Sequence, residues 1–224
     1  MAKETALIVG AGPGLGAALA RRFAAGGLIP VIASRTEAKV KDIAAGIDGA
    51  RAFACDGTDE EAVTALVGRV EGEIGPIRVA VHNASGRYRS PIAELPAEEY
   101  RKAWEASALG GFLLGREAAR VMLPRKQGTI LFTGATASVK SFAQSAAFAG
   151  GKFALRALAQ SMARELHPQG IHVAHVVIDG GIGVDEGGAR LEPDAIAEAY
   201  WQLHCQDRSA WSQEIELRPW VEKF

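Results

Sequence analysis

Along the chain, short unbroken apolar runs alternate with longer stretches whose apolar positions recur at helical spacing. The runs are Leu7-Ile8-Val9, Pro30-Val31-Ile32-Ala33, Arg51–Ala54, Ile77–Val81, Thr129-Ile130-Leu131-Phe132 and His172–Ile178, with a weaker one near Glu214–Leu217. Leu7-Ile8-Val9 and Pro30-Val31-Ile32-Ala33 carry no polar residue, which predicts buried strands. Between them, Leu15, Ala18, Leu19 and Phe23 mark one face of a helix that Gly26-Gly27 ends. Further helices are predicted over Glu37–Ile47, from Thr58-Asp59-Glu60-Glu61 through Ala62, Leu66 and Val70, over Ser145–Leu166, and from Asp194 to His204. A long helix is predicted from Leu95 to Met122, interrupted only by Gly110-Gly111. Strand and helix in alternation predict an α/β fold of βαβ units. No internal repeat or linker divides the chain, so residues 1–224 are expected to form one domain, with the glycine- and charge-rich loop over 183–193 as a lid.

The first strand runs into Gly10-Ala11-Gly12-Pro13-Gly14-Leu15-Gly16, and a helix opens directly after it. Glycines at a strand-to-helix turn let the backbone come close to a ligand, and the free amides of the helix start attract phosphate. The strand before and the helix after these alternating glycines, a variant of G-x-G-x-x-G, predict a dinucleotide cradle rather than a helix with a glycine-rich entry that binds nothing. The second strand ends at Ser34-Arg35, where such a unit faces the adenosine ribose. An acid there would suit a 2′-hydroxyl; the Arg35 guanidinium suits a 2′-phosphate, so NADP is expected in preference to NAD. The alternative for Arg35 is a solvated loop charge. His82-Asn83-Ala84-Ser85-Gly86 and Thr133-Gly134-Ala135-Thr136 lie at the carboxyl ends of strands, where parallel sheets place ligands.

The remaining composition narrows the partners. A net charge of −1 argues against a nucleic-acid or anionic-membrane surface. No uninterrupted apolar stretch is long enough for a membrane span, and the first strand begins too early to leave room for a leader, so a cytoplasmic protein is expected. Cys55 and Cys205 are too few and too isolated for a disulfide framework or a zinc site. His204-Cys205 has no further spaced ligands, and no metal is expected. Glu60-Glu61 and Asp185-Glu186 lack the partners of an acid/base pair, and Trp201, Trp211, Trp220 and Phe224 are expected to pack in the core or an interface.

Taken together, these motifs resemble the short-chain dehydrogenase/reductase family over nearly the whole chain. Its glycine motif T-G-x-x-x-G-x-G maps onto Val9, Gly10, Gly14 and Gly16, its adenine-contacting Asp onto Asp56, and its N-N-A-G onto His82-Asn83-Ala84-Ser85. Its Y-x-x-x-K lysine maps onto Lys152, its P-G onto Asp179-Gly180, and the residue that meets the carboxamide onto Ile182. The resemblance implies a three-layer Rossmann fold with a doubly wound, mostly parallel seven-stranded sheet in the order 3-2-1-4-5-6-7. It also implies a nicotinamide cofactor, a small-molecule substrate, and a homodimer or homotetramer through the two long helices. Carried over position by position, it has Gly10, Gly12, Gly14, Leu15 and Gly16 hold the pyrophosphate. Ser34 and Arg35 would meet the 2′-phosphate, Asp56 and Gly57 the adenine, and Asn83 and Ala84 the adjoining backbone and ribose. Lys152 would hold the nicotinamide ribose as the one retained catalytic residue, with Gly180 and Ile182 at the carboxamide.

The departures fall on the chemistry. Four residues before Lys152, where the family has its proton-donating tyrosine, stands Phe148; thirteen residues earlier, at its serine, stands Ala135; its helix asparagine becomes Ser107. A phenyl ring donates no proton, and a positioned general acid contributes about 10²–10⁴ in rate. Positioning of the hydride partners is a separate and potentially larger contribution. Two functions follow: an NADP(H)-dependent oxidoreductase with a non-standard active site, or a dinucleotide-binding redox sensor or scaffold without turnover. Thr136, Ser138, Ser141, Tyr88 and His82 are the polar candidates near the strand ends for a replacement donor, each set against a plain loop or capping role, and Asp179 either orients the carboxamide or caps a turn.

Overall fold

A computed structural model of the protein describes residues 3–184 and 187–221. Its elements follow the alternating pattern: β1 (Thr5–Val9), α1 (Leu15–Ala25), β2 (Ile29–Ser34), α2 (Glu37–Ala45), β3 (Arg51–Ala54), α3 (Glu60–Glu73) and β4 (Ile77–His82). Then come α4 (Ala97–Trp104), α5 (Gly110–Met122), β5 (Gly128–Thr133), α6 (Ala146–Leu166) and β6 (Ile171–Ile178). A two-stranded ribbon, β7 (Gly181–Ile182) and β8 (Arg190–Leu191), precedes α7 (Pro193–Cys205) and β9 (Glu214–Leu217).

The large sheet has seven strands in the order β3-β2-β1-β4-β5-β6-β9, the expected order, and each of its pairings is parallel. Its central strands β1, β5 and β6 are buried at every residue, which is why their sequences are apolar without alternation. Successive residues serve opposite layers. Leu7 and Val9 of β1 pack with Leu66, Leu114 and Leu155 beneath α3, α5 and α6, whereas Ala6 and Ile8 pack with Leu19, Val40 and Tyr200 of α1, α2 and α7. This is the doubly wound, three-layer Rossmann arrangement.

Local signals explain most boundaries. Asp59 caps α3 by accepting a hydrogen bond from the Ala62 amide at 3.1 Å, and Glu60 and Glu61 place negative charge on its first turn. The predicted helix from Leu95 is instead two helices joined by one wider, π-helical turn at Glu105–Leu109. Gly110 and Gly111 follow that turn; a Cβ at Gly110 would fall 2.9 Å from Gly57 O and 3.1 Å from the His82 ring, and one at Gly111 2.4 Å from Leu155 Cδ1, so these glycines serve close packing of α5 on the sheet and on α6.

The 183–193 loop is partly ordered by the pairing of Gly181 with Arg190 and Ile182 with Leu191; Asp185 and Glu186 lie outside the described residues, as does Phe224. Trp201 packs edge-on against Phe23, and Trp211 stacks on His172 at 4.8 Å. Trp220 departs from the packing expected of it: its indole is 87% exposed. No described helix is long and apolar enough to cross a membrane. His204 is occupied structurally, its Nδ1 sharing a hydrogen bond of 2.9 Å with the Thr129 hydroxyl.

Candidate active site

A cleft of about 700 Å³ opens at the carboxyl ends of β1, β4, β5 and β6. One wall is the turn between β1 and α1. Gly10 adopts φ +86°, and its amide and that of Ala11 donate to Ala33 O, which ties the turn to β2. Gly14 caps α1 with no side-chain hydrogen bond, and no acidic residue occupies the first turn. A Cβ built at Gly12 or Gly14 would meet no atom within 4 Å. The turn therefore leaves an open concavity beside unneutralised amides, which suits the pyrophosphate of a dinucleotide.

Of the residues expected in the site, Gly14, Leu15, Asn83, Lys152, Gly180 and Ile182 line this cleft. Asn83 also braces the turn, its amide donating to Gly10 O at 3.1 Å. Gly10, Gly16 and Ala84 sit one layer behind: a Cβ on Gly10 would fall 2.3 Å from the Ala84 nitrogen, and one on Gly16 2.7 Å from Ala11 Cα. Ser34, Arg35, Asp56 and Gly57 lie beyond the cleft, at the ends of β2 and β3, where the Cys55 amide bonds Ser34 O. Ser34 spends its hydroxyl on Thr36 O at 3.1 Å. Burial opposes ionisation of Asp56, but hydrogen bonds from the Thr58 amide and hydroxyl and the nearby Arg35 charge outweigh it and hold the carboxyl below its ordinary range. Arg35 is thus an exposed guanidinium at the end of β2, beside the carboxylate of Asp56.

At the opposite end of the cleft, α6 presents Phe148 and, one turn later, Lys152. Lys152 is 2% exposed, and its ammonium donates to Thr133 O at 2.6 Å. Burial, with added repulsion from Arg87, pushes its pKa down to about 7. It is an inward-facing cation and not a surface lysine. Below it, Arg156 forms a bidentate pair with Glu214 at 2.6 and 2.7 Å, and the Glu214 carboxylate accepts from His175 Nδ1 at 2.9 Å. Burial holds His175 near 4, so it is neutral at pH 7, and its Nε2, turned toward Gly134, has no partner among the described residues.

The polar side chains considered as replacement donors divide sharply. Thr136 lines the cleft but donates to Asp179 Oδ1 at 2.5 Å. Asp179 is buried and also pairs with Arg218 at 3.3 Å, so it braces strand ends rather than facing a carboxamide. Ser138 is buried and accepts from the Ala135 amide at 3.0 Å, while Ser141 and Tyr88 are exposed and do not line the cleft. His82 is turned away altogether: it is 1% exposed, faces α5, and burial pushes its pKa down to about 3. Its strand position fixes this, since alternate residues of β4 face opposite layers and Val81 already serves the α1 side.

The structure adds two residues that the motif spacing did not single out. Arg87 and Arg89, on the loop after β4, reach the cleft, and the Arg87 guanidinium stacks 4.7 Å from the centre of the Phe148 ring. Their signal was the run Arg87-Tyr88-Arg89 just beyond a strand's carboxyl end. Position 148 thus presents to the cleft an apolar ring with a cation over it.

Comparison with known proteins places this geometry in context. The family model described as short chain dehydrogenase matches residues 4–185. The 3-oxoacyl-[acyl-carrier-protein] reductase MabA of Mycobacterium tuberculosis is 30% identical over 81% of the chain and 70% of its own length. A short-chain dehydrogenase from Rhodopseudomonas palustris superposes with a TM-score of 0.89 at 42% identity, covering 97% of this chain and 99% of that one. A metagenomic short-chain oxidoreductase solved with NADP superposes with a TM-score of 0.87 at 27% identity, each chain covered to 99%.

Proposed function

The chain belongs to the short-chain dehydrogenase family, and on that premise we propose that it is an NADP(H)-dependent oxidoreductase whose active site has kept its anchor and lost its usual proton donor. The carrying observation is Lys152, buried on Thr133 O one turn after a phenylalanine and across the cleft from an open glycine turn. In this reading the amides at Gly14 and Leu15 hold the pyrophosphate, Arg35 with Ser34 the 2′-phosphate, and Asp56 the adenine side. Lys152 holds the nicotinamide ribose, while Gly180 and Ile182 bound the carboxamide end. The bound nicotinamide would supply or accept a hydride. The chain's own part is then to orient the partners, with a barrier higher by about 3–5 kcal/mol for want of a donor at position 148.

The relative solved with NADP supports the phosphorylated coenzyme, and the test is at Arg35. NADPH should bind wild type at least about tenfold more tightly than NADH, and Arg35→Asp should reverse or erase that preference, read by coenzyme fluorescence titration. Equal affinities for both coenzymes in both proteins would remove the assignment of the 2′-phosphate to Arg35.

A second reading has its own observation: the family's serine, tyrosine and asparagine positions are occupied together by Ala135, Phe148 and Ser107, and Ser107 is fully buried. A redox sensor or scaffold needs the coenzyme site and no donor. Stopped-flow oxidation of NADPH across aldehydes, ketones, quinones and activated alkenes separates the two, since the sensor binds NADPH and turns over none of them. We also read the chain as one cytoplasmic domain that pairs with itself through α4–α5 and α6, which leave Tyr100, Trp104, Phe112 and Phe153 exposed.

A further inference from the structure

The cleft holds two guanidinium cations, Arg87 and Arg89, beside the buried amine of Lys152, and no carboxylate among its described lining residues. The nearby acids are committed elsewhere: Asp179 to Thr136 and Arg218, Glu214 to Arg156 and His175, and Asp56 to Thr58 at the far end of the sheet. Arg87 has an aromatic partner but, like Arg89, no ion-pair partner among the described residues. Positive charge gathered at one concavity without counter-charge attracts an anion and focuses its approach.

Location separates this charge from the coenzyme's phosphates. The glycine turn is one wall of the cleft, and Arg35 stands outside it; Arg87 lies over Phe148, at the end marked by Lys152. A guanidinium carries five N–H donors and can bond two oxygens of a carboxylate or phosphate, and Arg87, held 4.7 Å from the Phe148 ring centre, makes no ion pair among the described residues. Beside it, the exposed faces of Phe142 and Ile182, with Phe148, give an apolar surface at the mouth.

Resting on the reading of this cleft as the coenzyme and substrate site, we propose that its substrates are amphipathic anions, with the Arg87 and Arg89 guanidinium groups gripping a carboxylate or phosphate and Phe142, Phe148 and Ile182 covering an apolar body. The two arginines are specificity-determining residues on the substrate side. A neutral substrate of the same shape leaves both cations without counter-charge and binds less well.

The test is calorimetric titration of the NADP⁺-saturated protein with benzoate, phenyl phosphate and the neutral isostere benzamide. One or both anions should bind at least about tenfold more tightly than benzamide, and whichever binds more tightly names the group. The Arg87→Met/Arg89→Met variant should lose that preference while its NADP⁺ affinity stays within about threefold of wild type. Anions that bind no better than benzamide overturn the proposal and leave the coenzyme assignment standing. A variant that loses NADP⁺ in step with benzoate also overturns it, because the arginines then serve the coenzyme. If NADP⁺ does not bind at all, the functional reading fails instead, and the same three titrations on coenzyme-free protein decide the anion site by themselves.

Discussion

A Phe148→Tyr/Ala135→Ser variant should reduce benzoylformate with NADPH about 10²–10⁴-fold faster than wild type, measured as kcat/KM. Position 148 is on α6 one turn before Lys152, and its ring already lines the cleft at 8% exposure, so a para hydroxyl adds a donor at a formed site instead of opening a new one. Reduction of the ketone needs a hydride at carbon and a proton at oxygen; wild type carries no hydroxyl at position 148 or 135 for the second. The Ala135 amide is engaged by Ser138 at 3.0 Å, while the Ala135 side chain lines the cleft, so a serine there adds a hydroxyl without removing an existing bond. Benzoylformate joins a ketone to the carboxylate that Arg87 and Arg89 would hold. A variant that binds NADPH as wild type does yet gains less than about threefold would show that the ketone does not sit beside position 148.

Which parts of this were legible in the sequence has physical reasons. The central strands were readable because a sheet covered on both faces needs apolar runs such as Leu7-Ile8-Val9 and Ile130-Leu131-Phe132, whereas the edge strands β3 and β9 keep exposed or half-buried residues and carry a weaker signal. The cradle was readable because a strand, four glycines and a helix start follow one another within the sequence itself. The meeting of Phe148, Lys152 and Ala135 at one cleft was readable through spacing on one helix and its neighbouring strand. Less was visible where tertiary placement decides. The π-helical turn at Glu105–Leu109 inserts a residue into a helix whose composition is ordinary, and the glycines after it make sense only against Gly57, His82 and Leu155 on neighbouring elements. His82 itself looked polar and near a strand end, yet its register sends it inward. Arg87 meets Phe148 across about sixty residues of chain, a contact no local pattern encodes. The ribbon of Gly181–Ile182 with Arg190–Leu191 is too short for a periodic signal, so its segment read only as a loop.

Substitution of Gly10 should be the most damaging single change in the cradle, and for the fold rather than for the ligand. Gly10 holds φ +86°, and a Cβ there would lie 2.3 Å from the Ala84 nitrogen, which is backbone and cannot yield as a flexible side chain would. Gly10→Ala should cost roughly 3 kcal/mol or more, seen as a fall in Tm of about 6–12 °C. Gly12→Ala should behave oppositely, because no atom lies within 4 Å of its Cβ. Its Tm should stay within about 2 °C of wild type, while NADPH affinity falls at least about tenfold as the methyl group occupies the concavity. Equal thermal stability in the Gly10 variant would mean that the turn is looser than its contacts with Ala84 indicate. Unchanged NADPH affinity in the Gly12 variant would mean that the coenzyme does not lie against this turn.

The account depends most on the glycine turn and Lys152 together forming a coenzyme site, and one titration reaches that claim directly. Purified wild-type protein titrated with NADPH, followed by the coenzyme's own fluorescence, should saturate with one site per chain and a Kd in the range of about 1–100 μM. No saturable binding of NADPH or NADH up to about 1 mM would contradict the account at its root, however closely the sheet matches its relatives.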